Sequence, residues 1–127
     1  NTSNVQDMSL TFFGNINLTT LEGLENWDTS SVTTMYNMFH NCLELNDVSA
    51  LSNWDVSNVV NMMSTFSRTG ENANTISIGD LSAWDVSNVT NMHDLFWDGD
   101  YQDYNYITDI SALKMLMKMA INTLLSI

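Results

Sequence analysis

The hexapeptide Trp-Asp-Val-Ser-Asn-Val stands at residues 54–59 and again at 84–89, with a close variant, Trp-Asp-Thr-Ser-Ser-Val, at 27–32. A chain that repeats itself at a near-constant interval must offer the same apolar positions to successive neighbours, so equivalent residues fall into columns. The pattern Val-x-x-Met-x-x-x-Phe begins at Val5, Val32, Val59 and Val89, with valine spacings of 27, 27 and 30 residues. It carries Met8, Met35, Met62 and Met92 and then Phe12, Phe39, Phe66 and Phe96. A second pattern leads into each tryptophan: Leu18, Leu21, Leu24, Trp27; then Leu45, Val48, Leu51, Trp54; then Ile78, Leu81, Trp84. A fourth copy starts at Ile107, Ile110 and Leu113 and departs into "MLMKMA". At the other end "NTSNV" reads as the hexapeptide without its first residue, so the chain is expected to open inside a repeat.

Each repeat has two local textures. "SSVTTMYNMF" and its equivalents place apolar residues at i, i+3, i+6 and i+7, which predicts a short helix. Asp28, Asp55 and Asp85 lie just ahead of it with Ser30, Ser57 and Ser87, and are expected to cap it by accepting free backbone N–H bonds. "LNDVSAL" and its equivalents predict a short strand. The expected fold is an α/β repeat solenoid: a leucine-rich-repeat-like, right-handed stack of about four short-strand plus short-helix units. The units fall at about residues 1–17, 18–44, 45–74 and 75–106, with a partial one at 107–113. Residues 114–127 place Leu116, Met117, Ala120 and Leu124 on one helical face, and a C-terminal cap helix is expected there to cover the last open unit. Trp27, Trp54 and Trp84, Val32, Val59 and Val89, Met35, Met62 and Met92, and Phe39, Phe66 and Phe96 are the expected core.

Charge narrows the function classes. There are 15 acidic residues against 3 Lys plus Arg, a formal net charge of -12. Phosphate backbones are bound by clustered cations, so a nucleic-acid partner is not expected. No apolar run is long enough for a membrane span. The single cysteine, Cys42, allows no intrachain disulfide. "HNC" at 40–42 brings His40 near Cys42, but a zinc site needs four ligands and no second cysteine exists. His93 is isolated. The methionine column reads as core filling rather than metal or redox chemistry. The Asn-x-Ser/Thr sequons at Asn1, Asn17 and Asn88 read as chance, the last being part of the repeat text. No nucleophile is paired with a base and no Gly-rich phosphate loop occurs, so no enzyme activity is expected.

"LSNWDVSNVVNMMSTF" and "LSAWDVSNVTNMHDLF" resemble the repeat of bacterial surface proteins of Listeria, Mycoplasma and lactobacilli, often grouped with the BspA-like leucine-rich repeats. The resemblance covers roughly residues 1–113. It implies a long surface-exposed or lipid-anchored array with a role in adhesion and protein recognition, and brings no catalytic residues with it. The expected activity is therefore non-catalytic recognition of a protein or glycan at the cell surface, outside the cell. The second expectation is a structural subunit of an extracellular assembly, appendage or virion, joined to copies of itself through the open N-terminal rung.

Repeated text carries fold, so specificity is expected between the repeats. Candidate contacts there are Glu22, Glu25, Asn46, Asp47, Asn53, Asp80 and Ser82. The aromatic, acidic stretch "WDGDYQDYNY" adds Trp97, Asp98, Asp100, Tyr101, Asp103, Tyr104 and Tyr106, of residue types enriched at binding hot spots. No cofactor is expected. Asp98, Asp100 and Asp103 are hard oxygen ligands of the kind calcium takes, but the glycine falls at the second position and not at the sixth as in an EF-hand.

Overall fold

A computed structural model describes residues 1–72 and 81–97. Among these residues there is no α-helix and no β-strand; the regular elements are two 3₁₀ turns, η1 (Leu24–Asn26) and η2 (Ser49–Leu51). The expectation of an α/β solenoid built from strand and helix units is therefore corrected. The segment read as a strand around "LNDVSAL" contains η2, and the segment read as a helix is a succession of tight turns. The cap helix expected over 114–127, and the partial unit at 107–113, lie outside the described residues.

The helix fails for a reason visible in the backbone. Leu10, Asn37, Ser64 and Asp94, two residues after each column methionine, all have positive φ, between 54° and 62°. Gly14, Asn41 and Arg68 do the same four residues further on, at 71°, 61° and 54°. A left-handed residue stops a right-handed helix, and here one recurs every fourth position. The amides divide accordingly. In the first repeat the N–H groups of Thr11 and Phe13 close turns onto the carbonyls of Met8 and Leu10. Those of Met8, Leu10, Phe12 and Gly14 instead donate to Thr34, Tyr36, Met38 and His40 of the next repeat, at 2.9–3.0 Å. An α-helix would send every amide to the carbonyl four residues back. The four-residue step from methionine to phenylalanine is thus the step from one turn to the next.

This division recurs. Met35, Asn37, Phe39 and Asn41 donate to Asn61, Met63, Thr65 and Ser67, and Met62, Ser64, Phe66 and Arg68 donate to Asn91, His93, Leu95 and Trp97. Parallel bridges Asp7–Thr34, Thr34–Asn61 and Asn61–Asn91 fix the register between successive repeats. Each row of turns is called a rung below.

The columns then pack against themselves. Phe12, Phe39, Phe66 and Phe96 stack in order, with ring centroids 5.3, 5.7 and 5.4 Å apart. Trp27 stacks on Trp54 at 6.0 Å, whereas Trp84, after the three-residue insertion, stacks on Phe66 at 6.4 Å. Val32, Met35, Phe39, Val59, Met62, Phe66, Val89, Phe96, Trp54 and Trp84 are buried; Trp27 and Met92 are partly buried against them. Offset-stacked aromatic pairs add about 0.5–1.5 kcal/mol each beyond the area they bury.

Candidate functional site

Every letter of the repeated hexapeptide has a structural task. The indole N–H of Trp54 donates to the Leu24 carbonyl at 2.8 Å, and that of Trp84 to Leu51 at 2.9 Å, each tying a rung to its predecessor. Asp55 accepts both the N–H and the hydroxyl of Ser57, at 3.0 and 2.6 Å, and Asp28 does the same with Ser30, at 3.1 and 2.6 Å. Asp85 accepts the Ser87 N–H at 3.0 Å. These aspartates were expected to cap helices; with no helix present, they cap turns. The serine bonds hold the Asp28 and Asp55 carboxyls below the usual carboxylate range. The amides of Asn58 and Asn88 reach back to the carbonyls of Ser30 and Ser57, both at 2.7 Å. Asn88, a sequon residue, is therefore already engaged in holding two rungs together.

Positions consumed by folding are poor candidates for a ligand. What remains is the arm between one phenylalanine and the next tryptophan, where the text varies. There Thr20, Leu21, Glu22, Glu25, Asp47, Ser49 and Ala50 line a cavity of about 380 Å³. Its walls belong to neighbouring repeats: one lies along Thr20–Glu25 at the start of η1, the other along Asp47–Ala50 at the start of η2. Gly23, at φ 97°, makes the left-handed entry into η1. Its N–H donates to Glu25 Oε2 at 2.7 Å, and Asn26 Nδ2 donates to Oε1 at 3.3 Å. Asp47 Oδ1 accepts the Ser49 N–H at 2.8 Å. Glu25 and Asp47 are thus held in place by their own turns, while Glu22 is exposed beside them.

The structure therefore brings together three of the carboxylates singled out in the sequence, Glu22, Glu25 and Asp47. Sequence reasoning missed Thr20, Ser49 and Ala50, because a wall built from two repeats leaves no signal in either alone. Asn46 and Asn53 are exposed and Ser82 half-buried, none of them lining this cavity. Trp97 is half-buried and falls in the column of Phe13, His40 and Ser67, its carbonyl receiving the Arg68 N–H. Asp80, Asp98, Asp100, Tyr101, Asp103, Tyr104 and Tyr106 lie outside the described residues.

Among the described residues no basic side chain lines the groove. Arg68, the basic residue among those described, lies 2.6 Å from Glu71 in an ion pair. Among the described residues no group of three or more His, Cys, Asp or Glu side chains is arranged to hold a metal ion. No helix among them is long and apolar enough to cross a membrane. Cys42 is buried, its thiol bonded to the Phe12 carbonyl at 3.1 Å and pushed up to about 11 by burial, which makes it a poor nucleophile. His40, its ring tilted against Phe13 at 5.3 Å and its Nδ1 3.2 Å from Asn37 Oδ1, is held below its ordinary value by burial and by the nearby Arg68.

The repeat that builds these rungs also decides the family. A family described as Mycoplasma protein of unknown function, DUF285, matches residues 1–109. The chain belongs to that family. The match takes in every column of the repeat. The resemblance to Mycoplasma proteins read from the sequence holds at the level of the family. The chain matches no curated protein and no solved structure.

Proposed function

We propose that this DUF285 chain is a non-catalytic recognition module displayed at the cell surface, and that it binds a protein ligand through the groove between η1 and η2. The observation that carries this reading is the convergence of Glu22, Glu25 and Asp47 on one cavity in an arm of the repeat whose residues vary. The Val, Met, Phe and Trp columns recur from copy to copy, whereas Thr20, Glu22 and Glu25 give way to Asp47, Ser49 and Ser52 in the next. The net charge of -12 and the groove carboxylates select for a basic or donor-rich segment, through charge complementarity that acts mainly on encounter rate and on partner choice. A glycan would be bound there by the same carboxylates accepting hydroxyl bonds, without the dependence on salt.

A lysine-rich decapeptide titrated into the protein by calorimetry tests the reading. The expected result is binding that weakens with added salt and falls about tenfold or more, about 1.4 kcal/mol, in the Glu22→Gln/Glu25→Gln/Asp47→Asn variant. Binding unchanged in that variant would remove the groove from the account. A response to neutral oligosaccharides with none to the peptide would turn it towards glycans.

A further inference from the structure

The sequence offers three Asn-x-Ser/Thr sequons on equal terms, and the structure separates them. Two are repeat text put to use by the rungs. Asn1 Oδ1 accepts the N–H and the hydroxyl of Ser3 at 3.1 and 2.8 Å, as Asp28 does with Ser30 one repeat on. The Asn88 amide donates to the Ser57 carbonyl at 2.7 Å, just as the Asn58 amide donates to Ser30. The hydroxyl of Thr90, which completes that sequon, donates to the Val60 carbonyl at 3.4 Å.

The third, Asn17-Leu18-Thr19, has no such explanation. One 27-residue step on stand Glu44 and Asn46, so no column calls for asparagine and threonine here. Among the described residues neither the Asn17 nor the Thr19 side chain makes a hydrogen bond. Asn17 is the second central residue of a tight turn, closed by the Leu18 N–H on the Asn15 carbonyl at 3.0 Å. Leu18 packs on the core, and the Thr19 carbonyl receives the Asn46 N–H at 3.3 Å, so the turn is anchored while Asn17 and Thr19 stay exposed. That exposure does not come from the place of this rung in the stack. Glu44 and Asn46 are exposed as well, on a rung with neighbours on both sides.

We infer that Asn17 is the acceptor for an N-linked glycan. The inference rests on the reading of this chain as displayed outside the cell, where sugars attached to this sequon are carried. The donor is a lipid-linked sugar diphosphate. Asn17 Nδ2 gives up one proton and forms a bond to the anomeric carbon of the sugar. The bond between that carbon and the phosphate oxygen breaks, and the lipid diphosphate leaves with the electron pair. The Thr19 hydroxyl is the second element of the acceptor. A sugar at Asn17 displaces no bond of the fold, whereas one at Asn88 would crowd the amide that ties two rungs together.

The test is to secrete the full chain from cultured eukaryotic cells, which hold the transferase and its donor. Glycopeptides are mapped by mass spectrometry before and after an amidase that leaves aspartate at each released site. The expected result is a glycan on Asn17, lost in Asn17→Gln and in Thr19→Ala and retained in Asn88→Gln. Asn17→Gln should unfold at the same urea concentration as the parent chain, since the side chain bonds nothing. A secreted chain bare at Asn17 overturns the inference. So does higher occupancy at Asn1 or Asn88, or a glycan on Asn17 that survives Thr19→Ala. None of these outcomes bears on the groove, which titration of the unmodified chain with the lysine-rich peptide tests separately.

Discussion

The first and second rungs carry the same text and meet different fates. Val32, Met35 and Phe39 have no exposed surface at all, while Val5 and Phe12, their partners in the column, are only partly buried. The difference lies in the neighbours. Phe39 sits between Phe12 and Phe66 of the flanking rungs, stacked on both, whereas the two rings stacked on Phe12, Phe39 at 5.3 Å and Trp27 at 6.1 Å, both belong to the repeat that follows it. Burial in a repeat protein is therefore a property of the pair of interfaces around a rung.

The comparison is broken most directly at the phenylalanine column. Phe39→Ala should cost about 3–5 kcal/mol, the range for a fully buried aromatic, while Phe12→Ala should cost about half as much. Urea unfolding of the two variants measures both. Equal losses would mean that each rung buries its own residues and that the neighbours matter little.

The tryptophan column sharpens it at a smaller scale. Trp54→Phe keeps the ring on Trp27 but removes the indole bond to the Leu24 carbonyl, which the Trp27 N–H still occupies. A loss of about 1–2 kcal/mol is expected, from one hydrogen bond and a small void. Trp27→Phe should cost less, since among the described residues no carbonyl receives the Trp27 indole. A thermal melt in which the two variants coincide would deny the indole any part in joining rungs.

The smallest effect concerns the left-handed column. Leu10 holds φ 62° where the second rung has Asn37 at 54°. Asparagine tolerates this region and leucine does not, so Leu10→Asn should raise stability by up to about 1 kcal/mol, and Asn37→Leu should lower it by a similar amount. A destabilised Leu10→Asn chain would show that the exposed leucine packs usefully after all.

Much of the molecule was legible in the text, and the misreadings are instructive. The columns, the 27-residue step and the three-residue insertion were plain, because identical contacts demand identical residues. The helix was not there, because a spacing of three and four suits two successive turns as well as one helical face. What separates the two is the sign of φ at positions such as Leu10 and Arg68, residue types that carry no turn signal. Asn37, Asn41, Asp94 and Gly14, in the same two columns, were the available hints, being residues that enter the left-handed region more readily than most. The aspartates were read correctly as caps and wrongly as helix caps, since a carboxylate that accepts an N–H two residues on serves either kind of turn.

The groove divides in the same way. Glu22, Glu25 and Asp47 could be picked from the sequence as charged residues in the variable arm. Their convergence could not, because Asp47 stands more than 20 residues from the two glutamates and is brought to them by the register between rungs. The sequence by itself determined that this chain is periodic, which residues recur, and that it is strongly acidic. The tertiary structure alone decided the path of the backbone inside each period and which carboxylates share a cavity. The reason is physical. A side-chain pattern states which atoms must leave water, but each backbone amide can be satisfied either within its own turn or by the next rung, and only the packed structure chooses between them.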